Sequence, residues 1–374
     1  MRGPRAMSRH LVSENPGCDL TRPRFSRRGH LRHWRSLAAV GFAAASWWVA
    51  GLRAEESDDA RVVAGLGHQV QAVFEKCRSA VVKIEASDTH GRLSGTGFFI
   101  DPNGTLYTSY SVGGESSDIT VLVGDARLPA SRMVSDLRSG IAILKVAAET
   151  PFLAFGNSRE LAVSSPVMTI GFPLDLPASP SFGVLGGRDI KYLGRYFATA
   201  HLRANVPVQR GQGGAPLLNL RGEVVGILIS SLDQGSGLFA LPIEAAEKVR
   251  RDFLRFHEVR RGWIGIEVGT LESPSAGSTA FVKEVLPDSP AAKAGAQKGD
   301  VLLAVGDRQV TTPDDLRDIS FFLTADDPTT IRLSRGDNVL ELPIQPIDRS
   351  EEYSSLQRLA PAFPPGLEIP RLDR

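Results

Sequence analysis

Between Val81 and Leu241 the apolar residues come in short runs, each too short for a stable helix and most of them flanked by turn residues. Val81-Val82 with Ile84, Gly97-Phe98-Phe99-Ile100, Ile119–Val123, Ile141–Val146, Val167–Ile170, Leu217–Leu220, Val224–Ile229 and Leu238–Leu241 all read as strands. Asp101-Pro102-Asn103-Gly104, set between Ile100 and Leu106, is a turn signal of the hairpin kind. Many short strands with tight turns between them close into a barrel or a sandwich.

Helical spacing appears at the edges of this region. His68 to Arg78 reads as a short amphipathic helix, with Cys77 in step with Val70, Val73 and Phe74 on the apolar face. That placement gives Cys77 a buried, structural role. Pro242 opens a second helix, carried by Ile243, Ala246, Val249 and Phe253 to about His257. Arg260-Arg261-Gly262 then marks a boundary. Beyond it, strands are expected near Ile264–Val268, Ala280–Val285, Val301–Val305, Thr330–Ser334 and Val339–Pro343. Two helices fit between them, Pro290–Ala294 stopping at Gly295, and one capped by Thr312 that runs through Leu316, Ile319 and Phe322. Residues 55–67 read as a flexible lead-in, and residues 347–374, charged and then proline-rich, as a disordered tail.

The 374 residues, 42% of them hydrophobic, suffice for two packed cores. The net charge of +1 conceals an asymmetry. Residues 1–54 hold ten Arg and no Lys against Glu14 and Asp19, a net of +8, which leaves −7 on the rest. A mildly acidic body argues against a nucleic-acid partner. The basic start is explained by Arg27-Arg28 and Arg32 ahead of the uncharged stretch Ser36–Leu52, the pattern of an export signal. An ordinary signal, a twin-arginine signal and an uncleaved anchor through residues 36–52 all fit. With Cys18 in the presequence, the mature chain keeps Cys77 alone and has no internal disulfide. No metal-ligand cluster and no phosphate-binding loop is visible, so no metal or cofactor is expected.

Six stretches, in order, resemble the HtrA-type serine proteases. They are Gly95-Thr-Gly-Phe-Phe-Ile-Asp-Pro-Asn-Gly104, Ser135-Asp136 through Ile141-Ala-Ile-Leu-Lys-Val146, and Thr169-Ile-Gly-Phe-Pro173. Gly211-Gln-Gly-Gly-Ala-Pro216 with its continuation to Gly226, Gly237-Leu-Phe-Ala-Leu-Pro242, and Arg261-Gly-Trp-Ile-Gly-Ile266 follow. The resemblance implies a mainly β chain, a chymotrypsin-like double β-barrel followed by a PDZ domain. On that scheme residues 1–54 are the export signal or anchor, 55–67 the lead-in, 68–258 the protease-type domain, 259–346 the PDZ domain and 347–374 the tail.

Peptide hydrolysis on this fold uses a hydroxyl nucleophile, an imidazole base and a carboxylate that orients the base. By the resemblance those three positions carry Gly213, Ser111 and Gly140. The expectation is therefore a chain that is not an enzyme. His201 near Ser109 or Ser111 is the alternative dyad, and an endopeptidase with other catalytic residues the alternative function. The Gly211–Gly214 backbone keeps N–H donors for a carbonyl, and Ser236-Gly237-Leu238-Phe239 offers a strand for peptide addition.

The resemblance also implies a peptide site in the PDZ domain, where a backbone nest takes a C-terminal carboxylate. Gly262, Trp263, Ile264, Gly265 and Ile266 match the nest, and Leu316, Ile319 and Ser320 are expected to line the side-chain pocket. The implied partners are peptide C-termini or unfolded proteins of the cell envelope, and active HtrA-type proteases that the chain would regulate.

Overall fold

The structure, a computed structural model, describes residues 58–348. The export signal or anchor at 1–54 with Cys18, residues 55–57 of the lead-in, and the tail from 349 on lie outside the described residues. The described residues from Val62 on form one compact unit. No helix among the described residues is long and apolar enough to cross a membrane.

Helix α1 spans Asp58–Cys77, so it starts well ahead of His68 and takes in most of the stretch expected to be flexible. The glycines at 65 and 67 argue for a break, yet the helix runs through both. The far end of α1 is fixed by the barrel behind it. Lys76 Nζ donates to Arg221 O at 2.8 Å and Cys77 Sγ lies 3.5 Å from Gly222 O. Cys77 is buried, and burial pushes its thiol up from the ordinary range, as a structural cysteine requires.

Strands β1 (Val81–Asp88), β2 (Gly91–Phe99), β3 (Thr105–Ser109), β4 (Ser117–Val123), β5 (Ala126–Asp136) and β6 (Ile141–Val146) close a first barrel in the order β1-β2-β3-β6-β5-β4. A single turn of helix, α2 (Tyr110–Gly113), follows β3. Strands β7 (Pro166–Gly171), β8 (Ser179–Tyr192), β9 (Arg195–Asn205), β10 (Pro216–Asn219), β11 (Val224–Leu232) and β12 (Gly237–Pro242) close a second.

Period-two alternation divides the apolar residues between two destinations. Phe99 and Leu144 fill the first barrel, whereas their neighbours Phe98 and Ile143 face the seam, where they join Met168, Ile170, Ile227 and Leu241 of the second barrel in one core. Runs that are apolar on both faces, such as Ile141–Leu144, are thus strands buried on both sides.

Helix α3 (Ile243–Phe256) leaves β12 and ends with His257 in the left-handed conformation at φ 60°. Strands β13 (Ile266–Ser275), β14 (Ser278–Val285), β15 (Val301–Val305), β16 (Arg308–Gln309), β17 (Thr329–Arg335) and β18 (Asn338–Ile344) then form a third sheet. Its order is β13-β14-β15-β17-β18, with β16 paired to β15. Helices α4 (Pro290–Ala294) and α5 (Pro313–Phe322) accompany it, the latter with a full capping box between Thr312 and Asp315.

The third sheet is bolted to the barrels through polar contacts. Asp318 on α5 accepts from Thr199 Oγ1 and, at 2.7 Å, from the Ala200 N–H on β9. Arg261 Nη2 donates to Asp136 Oδ1 at 2.9 Å, reaching the end of β5.

Candidate functional site

Two places present backbone N–H groups without acceptors among the described residues. The first is the seam between the barrels. Gly140, left-handed at φ 77°, accepts the Tyr110 N–H at 2.7 Å, which brings the β5–β6 loop against α2. Ser109 Oγ and Ser111 Oγ lie 2.9 Å apart. A Cβ built at Gly213 would stand 3.2 Å from Ser109 Oγ and 3.8 Å from Ser111 Oγ. Ser111 and Gly213 therefore lie side by side, with Gly140 bonded to the residue next to Ser111.

The glycine loop at this spot is held by Thr96, whose Oγ1 donates to Gly211 O at 2.7 Å and whose N–H donates to Gly213 O at 2.9 Å. Two of its amides are taken up: Gln212 N–H meets Gln209 O at 3.3 Å and Gly214 N–H meets Leu228 O at 2.8 Å. The Gly211 and Gly213 N–H groups have no acceptor among the described residues. Alternate donors of this kind suit a carbonyl or an oxyanion.

His201 does not join them. It is fully buried on β9, its ring stacked on Phe197 at 4.4 Å and its Nδ1 2.8 Å from Thr199 O. Burial pushes the imidazole down to about 4, so it is neutral at pH 7 and serves the packing of β9. The strand expected to accept a peptide is also unavailable over most of its length. From Leu238 to Ala240, β12 is paired with β11 on one side and β9 on the other, which leaves no free edge there.

The second place is a groove of about 390 Å³ between β13 and α5. Strand β13 is the outer strand of its sheet, so one edge is unpaired. The groove starts at the loop Gly262–Gly265. The Gly262 N–H bonds to Leu323 O and the Trp263 N–H to Ile347 O, each at 2.9 Å. The Ile264 carbonyl receives Ala291 N–H at 2.9 Å and the Gly265 carbonyl receives Leu286 N–H at 3.0 Å, which fixes the loop from behind. The N–H groups of Ile264 and Gly265 themselves have no acceptor among the described residues.

Gly265 makes this loop possible. Its φ is +82°, and a Cβ there would lie 2.2 Å from Ser289 Cβ and 2.9 Å from the Trp263 ring. The same kink moves the start of β13 from the expected Ile264 to Ile266. Of the residues proposed from the sequence, Gly262, Trp263, Ile264, Gly265, Ile266, Leu316 and Ser320 line the groove. Ile319 does not. It is 3% exposed and packs in the core beneath with Val282, Leu302 and Ile331, about 100° around the helix from Ser320. Sequence reasoning missed Leu323, which lines the groove from just past α5.

Residues 95–227 match the trypsin-like peptidase domain, and residues 281–333 match the PDZ domain. The chain carries a trypsin-like peptidase domain followed by a PDZ domain. Its curated homologues are DegP-like serine endoproteases. One from Chlamydia pneumoniae, named a probable periplasmic serine endoprotease DegP-like, is 27% identical over 280 residues, covering 71% of this chain and 57% of its own length. A protein of the same name from Pseudomonas fulva (strain 12-X) is 32% identical over 235 residues, covering 59% and 49%. The chain thus spans about half the length of the curated relatives it matches.

Among solved structures, HtrA-type protease AlgW with tripeptide superposes with a TM-score of 0.62 at 20% identity, covering 74% of this chain and 96% of that one. The serine endoprotease from Yersinia pestis gives 0.53 at 24% identity, covering 74% and 97%. These likenesses show a shared mainly β fold, the trypsin-type barrels followed by the PDZ sheet.

The comparisons correct one expectation from the sequence. The reading of Gly213, Ser111 and Gly140 as evidence that the chain is not an enzyme is overturned by homologues that are named serine endoproteases.

Proposed function

We propose that this is an exported protein of the periplasm or cell envelope that takes part in protein handling, and that its PDZ groove captures the C-terminal ends of peptides or unfolded chains. One observation carries the reading: the N–H groups of Ile264 and Gly265, without acceptors, open at the end of an apolar groove beside a free strand edge. A carboxylate accepts two such donors, and the peptide behind it adds to β13 as an extra strand. Relatives named periplasmic support the location, and the basic, then uncharged, start of the chain supports export. In this scheme the peptidase-type domain runs over 68–258 and the PDZ domain over 259–346, with residues 1–54 as signal or anchor. A fluorescently labelled peptide with a free C-terminus, titrated with the purified protein, tests the groove directly.

Endopeptidase activity is the second reading, favoured by the names of the relatives and by the Ser109–Ser111 pair set beside Gly213. Its nucleophile would come from that pair. Among the described residues the hydrogen bond given to either hydroxyl is their mutual one, so no imidazole activates them. The rate expected is accordingly slow, because a hydroxyl without a general base is a weak nucleophile. Degradation of unfolded casein should fall to the buffer rate in Ser109→Ala/Ser111→Ala. Degradation that persists undiminished in that double variant would remove the pair from the reaction.

A further inference from the structure

The β8–β9 hairpin turns in two residues. Tyr192 pairs with Arg195, and Leu193 and Gly194 between them have φ of 47° and 78°. Two positive φ values in a two-residue loop make a type I′ turn, whose first central position favours Asn, Asp or Gly. A leucine there holds a bulky side chain in the left-handed region against its steric preference. It gains no packing in return. Leu193 is 72% exposed, the most exposed large apolar side chain among the described residues, and a Cβ added at Gly194 would meet nothing within 4 Å. The turn thus projects into solvent with an apolar residue at its tip.

The hairpin is fixed behind that tip. Tyr192 and Phe197 both pack on Phe239 of β12, at ring-centroid distances of 5.2 and 5.0 Å. Tyr196 is exposed beside the turn, with the Arg317 guanidinium 3.9 Å over its ring and Lys191 Nζ 5.9 Å from the ring centre. Strands β8 and β9 carry Arg188, Lys191, Arg195 and Arg203 against Asp189 alone, and Asp189 is paired with Arg203 at 2.9 Å. Lys191 and Arg195, both exposed, flank Leu193 on the two strands. The chain from residue 55 on has a net charge of −7, so the hairpin is a basic projection on an acidic body.

We infer that this tip docks on an anionic lipid surface, with Leu193 entering the boundary between headgroups and acyl chains, Tyr196 at headgroup depth, and Lys191 and Arg195 meeting lipid phosphates. A convex tip bearing one leucine and one tyrosine offers far less than the roughly 800 Å² per partner that a stable protein interface buries. A bilayer interface takes up such side chains singly. Each basic residue close to anionic headgroups strengthens binding about fivefold. The acidic remainder of the protein is repelled by the same surface, so the basic tip is the end that approaches it.

Sedimentation with vesicles tests the inference, using purified residues 55–374, which contain the compact unit from Val62 on. The protein should bind vesicles of equal parts phosphatidylglycerol and phosphatidylcholine at low salt, and should be released by raised salt. Vesicles of phosphatidylcholine alone should leave it in solution. Leu193→Asn should weaken binding on the order of tenfold, the loss of one buried leucine. The same variant should melt at a higher temperature, because asparagine suits the turn. Opposite changes in one variant separate docking from folding. Lys191→Gln and Arg195→Gln should each weaken binding about fivefold. An unaltered protein that ignores anionic vesicles, or a Leu193→Asn variant that binds them equally well, would overturn the inference. A protein captured through Leu193 in the absence of vesicle binding would overturn it too and assign the tip to a protein surface.

Discussion

Replacing Gly265 with alanine is expected to lower peptide affinity by roughly ten- to hundredfold, the equivalent of about 1–3 kcal/mol of overpacking at the loop. The added Cβ would lie 2.2 Å from Ser289 Cβ and 2.7 Å from its Oγ, far inside contact distance. Ser289 cannot retreat, because it caps α4 by accepting the Ala292 N–H at 3.1 Å. The loop must therefore move, and the Ile264 and Gly265 N–H groups move with it. Gly277→Ala is the matching control. Gly277 sits in the β13–β14 turn at φ +85°, nearly the same backbone, but a Cβ there meets nothing within 4 Å. It should cost stability on the order of 1 kcal/mol from strain alone and leave peptide affinity unchanged. Titration of one peptide into both variants, with melting curves for each, separates loss of the nest from loss of the fold.

The largest effect on stability is expected at Asp252. Lys248 and Asp252 are 1% and 2% exposed and pair at 2.6 Å within α3. Asp252 also accepts the Arg260 N–H and the Thr324 hydroxyl, each at 3.1 Å, so it links α3, the connecting segment and the end of α5. Lys248 Nζ donates to Arg260 O at 2.5 Å as well. Burial pulls the Lys248 ammonium below its ordinary range, with Asp252 acting in the opposite direction. Asp252→Ala strips that ammonium of its counter-charge and should destabilise the protein by about 3–5 kcal/mol. In a chain of this size the midpoint should drop by about 10 °C. Lys248→Met/Asp252→Leu should recover most of the loss, since an apolar pair of similar volume avoids the desolvation of both charges. Thermal melting of the single and double variants checks both statements.

The parts of the fold that the sequence revealed are those whose residues face one environment along their length. The runs at Phe98, Ile141, Met168 and Val224 are apolar on both sides because they lie between a barrel interior and the seam, so they stand out without alternation. Helices α3, α4 and α5 carry their own stop and start residues, and their observed bounds fall within a residue or two of the expected ones. Strands β5, β8 and β9 were passed over. β5 is largely exposed and polar along Ala126–Arg132, and β8 includes Pro180, Gly183, Gly186 and Gly187, which read locally as breakers. They are strands because each has partners on both sides in a closed barrel, a fact of topology rather than of local composition.

The candidate sites divide in the same way. The nest proposed at Gly262–Ile266 is contiguous, so a single motif points to it. Arg317 and Tyr196 are far apart in the chain and meet only after α5 docks on β9. No short pattern marks such a meeting. Ile319 was misassigned because the periodicity of α5 identifies its apolar residues but not which of them face the groove and which the sheet. At the seam, the identity of single positions proved less informative than their surroundings. Gly213 brings a free amide and stands against two hydroxyls supplied by β3 and α2.

The central claim is that the Ile264 and Gly265 amides hold a C-terminal carboxylate. One measurement addresses it: the affinity of the purified protein for a single hydrophobic-ended peptide, prepared once as the free acid and once as the C-terminal amide. Charge-assisted bonds to two backbone donors predict that the free acid binds roughly ten- to hundredfold more tightly. Equal affinities for the two forms would contradict the claim.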